Sequence, residues 1–98
     1  MNKQDAMGLI ERALEVVNAE LPEGERVVIT PDLRLFGSEA SIDSLALVSL
    51  IVDVESEVSE MTGMPVSLTD DRAISREPSP FSTVETLADY VTEITTNP

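Results

Sequence analysis

The stretch Ile42-Asp43-Ser44-Leu45-Ala46-Leu47-Val48-Ser49-Leu50-Ile51-Val52-Asp53-Val54-Glu55-Ser56-Glu57-Val58 decides how this chain folds. At about 100° per residue, Leu47, Leu50, Ile51, Val54 and Val58 share one arc of a helix, which predicts a core-facing stripe. Ser44, Leu45, Val48 and Val52 share a neighbouring arc. Asp43 is a good N-cap, and Gly63 followed by Pro65 is a stop, so the helix is expected over 43 to about 61. The second stripe has two readings. Either the helix is buried on two sides, or the stripe awaits a partner or ligand.

Working outward, Met7, Ile10, Ala13, Leu14, Val17 and Leu21 follow helical spacing and predict a first helix over about 3–20, stopped by Pro22-Glu23-Gly24. Val27-Val28-Ile29-Thr30 has strand composition, but a lone strand has nothing to pair with, so an extended stretch packed on helices is expected. Residues 31–41 form a long connector whose Leu33, Leu35 and Phe36 are expected in the core. Beyond Gly63, Asp70 and Asp71 suit the start of a short helical turn over 69–75, and two prolines make 76–80 a loop. Ser82-Thr83-Val84-Glu85 matches a capping box and predicts a last helix starting at Ser82. Its buried stripe is expected to be Val84, Leu87, Ala88, Val91 and Ile94 or Thr95. The expected fold is all-α: a single domain over residues 1–98, a small four-helix bundle of three main helices and one short one, with a long first loop.

Composition narrows the chemistry. Six Lys and Arg against 19 Asp and Glu give a net charge of −13, which repels nucleic-acid phosphates and anionic membranes. Neither His nor Cys occurs, which removes disulfides, thiolate nucleophiles, imidazole bases and the usual zinc ligands. No apolar run reaches the ~20 residues of a membrane span. Met1-Asn2-Lys3-Gln4-Asp5 lacks the basic-then-apolar order of a signal peptide, and a cytoplasmic setting is expected. The 27 Leu, Ile and Val residues suffice for a core, and with only 3% aromatics that core should be aliphatic. No Gly-rich phosphate loop and no Asp-x-Asp-x-Asp-Gly calcium loop is present, so neither a catalytic nor a metal site is expected.

Charge is also uneven along the chain. Between Arg34 and Arg72 there is no Lys or Arg, while Glu39, Asp43, Asp53, Glu55, Glu57, Glu60, Asp70 and Asp71 all fall there. An acidic run flanking an apolar stripe suits docking to basic protein surfaces.

The string Ile42-Asp43-Ser44-Leu45-Ala46-Leu47-Val48-Ser49-Leu50 resembles the acyl carrier protein signature, in which Asp-Ser-Leu opens the second helix. Leu33-Arg34-Leu35-Phe36-Gly37 is similar to the end of that family's first loop, and Leu50-Ile51-Val52-Asp53-Val54-Glu55-Ser56-Glu57 to the acidic half of its second helix. Pro80-Phe81-Ser82-Thr83-Val84-Glu85-Thr86-Leu87 is similar to the opening of its last helix, so the resemblance runs in order over nearly the whole chain. It implies that Ser44 carries covalent 4′-phosphopantetheine derived from coenzyme A. It also implies that Asp43, Leu45, Val48, Val52 and Glu55 meet partner enzymes or border the cargo. Those partners would be a phosphopantetheinyl transferase and loading ligases, synthases or acyltransferases with basic docking surfaces, acting on a monomeric carrier that is not itself an enzyme. Three positions depart from the pattern. Ala46 and Ser49 stand where fatty-acid carriers usually have acids, and Ser41 where many relatives have Gly. Asp43, where peptidyl carriers commonly have His, favours an acyl cargo for fatty-acid, polyketide or other specialised acyl biosynthesis.

A different class stays open beside it: an acidic helical adaptor with a carrier-like fold and no prosthetic group. In either case self-repulsion at −13 should weaken the fold at low salt. Raising NaCl from about 0.01 M to about 0.5 M, which collapses the screening length several-fold, is expected to raise the melting temperature followed by circular dichroism. A level or falling melting temperature contradicts this.

Overall fold

The chain's first helix begins where a side chain can close it. Asn2 Oδ1 accepts the Asp5 N–H at 2.8 Å, and α1 spans Lys3–Glu20. The computed structural model describes residues 1–37, 40–76 and 79–96, with all their side chains except those of Arg72 and Ile74. After α1 come a 3-10 turn at Glu23–Glu25, α2 over Ser44–Thr62, the one-turn α3 over Asp71–Ser75, and α4 over Val84–Thr96. Among the described residues there is no strand, only an isolated antiparallel bridge between Arg34 and Thr83. The architecture is therefore all-α, with three long helices. Glu39 of the acidic run, and Glu77 and Pro78 of the two-proline loop, lie outside the described residues.

Helix α1 packs against both α2 and α4. Its buried stripe is Ala6, Leu9, Ile10, Ala13, Leu14 and Val17, and it meets Leu50, Val54 and Val58 from α2 and Val84, Leu87 and Val91 from α4 in one cluster. Met7 and Leu21, expected in the stripe, sit at its half-buried margin. Lys3 Nζ lies 3.2 Å from both Glu85 Oε2 and Asp89 Oδ1, tying the start of α1 to α4. Hydrogen bonding to Asp89 and then Glu85 holds the Lys3 ammonium above its ordinary pKa.

The C-terminus of α1 anchors the loop that follows. Asn18 acts as a strand-like partner for Val27, its Nδ2 donating to Val27 O and its Oδ1 accepting Val27 N–H, both at 2.9 Å. Arg26 Nε donates to the carbonyl of Leu21 at 3.3 Å and to that of Asn18 at 3.0 Å, the latter also accepting the Leu21 N–H at 3.1 Å, so the side chain closes the helix end. Val27 and Ile29 then pack on the core while Val28 faces solvent, so the stretch packs on the helices without a second strand.

Two expectations need correction here. Leu33 and Leu35 are buried, but Phe36 is 60% exposed. The chain turns at Gly37, whose φ of 107° is open to glycine and strained for other residues, and the ring is left outside. Helix α4 starts at Val84 rather than Ser82, because the cap is Thr83. Thr83 Oγ1 accepts Thr86 N–H at 3.1 Å and Thr86 Oγ1 accepts Thr83 N–H at 2.9 Å, a reciprocal box one residue later than expected, closed by Thr instead of Glu. Ser82 is used differently, its carbonyl accepting Leu35 N–H at 3.0 Å. The two remaining N–H groups of the first turn donate to the loop, Val84 to Leu33 O at 3.2 Å and Glu85 to Pro31 O at 2.9 Å. All four orphan donors of α4 are thereby satisfied.

The buried stripe of α4 is also wider than expected. Tyr90, absent from it, is fully buried; its hydroxyl lies 3.3 Å from Asp70 Oδ1 and the Arg76 guanidinium lies 5.4 Å from its ring centroid. Arg76 also pairs with Glu93 at 2.7 Å. The segment around α3, itself capped by Asp70 on Ala73 N–H and inserting Leu68 and Ala73, covers this flank of α4.

Replacing Thr83 by Ala removes one half of the box and leaves the Thr86 N–H uncapped. We expect a loss of about 1 kcal/mol in denaturant unfolding, with Ser82→Ala near neutral. The reverse order would restore Ser82 as the cap.

Candidate functional site

Helix α2 is built to show its first residue to solvent. Asp43 adopts an extended backbone, its Oδ1 accepts the Ala46 N–H at 2.8 Å, and its carbonyl accepts the Leu47 N–H at 3.0 Å. No described residue accepts from the N–H groups of Ser44 or Leu45. The exposed Ser44 side chain thus stands at the positive end of a 19-residue helix, beside free donors of the kind that favour an anion. The Asp43 carboxylate is turned to the cap. The far end closes at Gly63, in the left-handed region at φ 72°, with its N–H on Ser59 O.

The double-stripe question is resolved by burial. Leu47, Leu50, Val54 and Val58 are buried, Ile51 is half-buried, and Leu45, Val48 and Val52 stand 77%, 56% and 57% exposed. The helix is not buried on two sides. Ser44, Leu45, Val48 and Val52 form one exposed ridge about 12 Å long at 1.5 Å per residue. Glu55 continues the same arc and is half-buried, and Asp53 lies at the margin. No Lys or Arg is carried by α2, and Lys3, Arg26 and Arg76 are engaged with groups elsewhere in the fold.

The structure also gives a physical reason for one sequence departure. Ala46, where an acid would be usual in the resembled family, is only 8% exposed beneath the cap, so a carboxylate there would be desolvated. Ser49 is exposed, in a shallow groove with Val17, Glu20, Leu21 and Leu45.

A feature missed by the sequence reading lies on the other side of Ser44. An open recess of about 490 Å³ is lined by Leu35, Phe36, Gly37, Ala40, Ile42, Asp43, Ser44 and Leu47. Leu35, Ile42 and Leu47 are its buried floor. The only sequence signal for it was Gly37 after Phe36, a turn mark whose consequence depends on where the loop is held. Among the described residues, no group of three or more acidic side chains is placed to hold a metal ion, and no helix is long and apolar enough to cross a membrane.

Asp43 can be tested for its capping role apart from its charge. Asp43→Asn keeps an acceptor and is expected to unfold within a few tenths of a kcal/mol of the parent, while Asp43→Ala loses about 1 kcal/mol. Equal losses in both variants would mean that the charge, not the cap, is what matters.

Compared with known proteins, the chain matches no family model, no curated protein and no solved structure.

Proposed function

We propose that this chain is an acyl carrier protein of the four-helix, long-first-loop type, with Ser44 as the attachment point of 4′-phosphopantetheine. The observation that carries this is the Ser44 hydroxyl, exposed on the first residue of α2 at the head of the exposed Leu45, Val48 and Val52 ridge. When attached, the arm supplies a terminal thiol that holds an acyl group as a thioester.

The chain's own residues fit that role. The free N–H groups of Ser44 and Leu45 favour a phosphodiester at the helix start, and the Asp43 carboxylate, turned to Ala46 N–H, is kept from crowding it. With no His and no Cys, the protein brings neither an imidazole base nor a thiol to attack a thioester. The apolar ridge and the acids of α2 suit enzymes with basic rims around an apolar contact: a phosphopantetheinyl transferase, then loading ligases, synthases or acyltransferases. The protein would act as a cytoplasmic monomer and catalyse nothing itself. The exposed ridge equally supports an acidic adaptor that binds proteins without an arm.

Incubation with coenzyme A, a divalent metal and a promiscuous phosphopantetheinyl transferase separates the two. In the attachment, the Ser44 Oγ–P bond forms, the pyrophosphate P–O bond breaks, the hydroxyl proton goes to the enzyme's base and 3′,5′-ADP leaves. Intact-mass analysis is expected to show one added phosphopantetheine, and none on Ser44→Ala. Modification that persists in Ser44→Ala removes Ser44 from this role, and native protein isolated only as the bare chain favours the adaptor.

A further inference from the structure

Resting on the carrier reading, we infer that the recess between the Leu35–Gly37 turn and the head of α2 is a docking site for the first, branched apolar part of an arm on Ser44, with the Phe36 ring as its outer wall. Any group esterified to Ser44 begins at this recess, because Ser44 is one of its lining residues. The walls suit an apolar occupant. Leu35, Ile42 and Leu47 are 1%, 7% and 8% exposed, so the floor exists before anything is bound. Phe36 is the one aromatic ring offered to solvent: Tyr90 is buried and Phe81 half-buried. Phosphopantetheine places a carbon bearing two methyl groups close to its phosphate, and this is the segment that meets the wall first. Tethering raises its local concentration to roughly the millimolar range, so weak apolar contacts suffice to fill the site.

Beyond Ser44 itself, the ridge lies apart from this recess. Leu45, Val48 and Val52 do not line it. Ser44 therefore stands between two surfaces, an outer ridge for partner enzymes and an inner recess for the start of the arm. Phe36 is a positioning residue in this arrangement, which explains why a large apolar ring, next to a buried Leu35, is left in water.

The test uses the full chain before and after modification with coenzyme A and a transferase, with intact mass as the first readout. Absence of the mass gain defeats the Ser44 reading and this inference with it. Given complete modification, we expect nuclear Overhauser contacts from the Phe36 ring to the two arm methyls, and shifted methyl resonances of Leu35, Ile42 and Leu47 relative to the unmodified protein. In Phe36→Ala, which removes an exposed ring and should leave the melting temperature nearly unchanged, the arm should still attach while the methyl shifts shrink at least several-fold. In Val28→Ala, an exposed residue outside the recess, they should persist. Complete modification with no ring contact, or methyl shifts that survive Phe36→Ala in full, overturns the inference and leaves the carrier reading intact.

Discussion

The head of α4 is the constraint on which the rest of this fold depends. Four backbone N–H groups at a helix start need acceptors, and here two come from the Thr83–Thr86 box and two from the carbonyls of Leu33 and Pro31. The same contact line returns through Leu35 N–H on Ser82 O. A loop that would otherwise be long and free is thereby fastened to the last helix, and its Leu33 and Leu35 are carried into the core.

From that fastening the geometry of the candidate site follows in sequence. Arg34 O accepts Ser41 N–H at 2.9 Å, bringing the chain back beside its own path. Ile42 then enters the core, Asp43 caps α2, and Ser44 is delivered to the surface at the helix head. The Leu35–Gly37 turn and the head of α2 face each other because both ends of the excursion are held, and the recess is the space between them. Each hydrogen bond in this chain contributes about 1 kcal/mol. Their joint effect is positional, since they decide where one hydroxyl stands.

Electrostatics divides the molecule in a complementary way. Lys3 and Arg76 pair with acids of α4, and Arg26 closes α1, so these basic groups serve the packing of the first and last helices. Helix α2 carries no Lys or Arg of its own, and Arg12 of α1 is the basic residue that shares a recess with its Asp53 and Glu57 among the described residues. Its apolar ridge of Leu45, Val48 and Val52 stands open to solvent, with the half-buried Glu55 on the same arc.

The period of the apolar residues was enough to locate α1 and α2, because a stripe at helical spacing must be buried and Asp43 and Gly63 have the local chemistry to start and stop a helix. Ser44 at the head of α2 was legible for the same reason: its place depends on its neighbours in the chain. What the sequence left undecided all depended on distant partners. Thr83 rather than Ser82 caps α4 because loop carbonyls take the next two N–H groups. Tyr90 is core because the segment around α3 covers that flank, and Phe36 is outside where the chain turns at Gly37. Leu45, Val48 and Val52 had the periodicity of a second buried face, and they are surface because no element among the described residues packs over them. Local hydrogen bonding and helical period are properties of a few consecutive residues. Burial is a property of what the rest of the chain brings alongside, and that was decided in three dimensions.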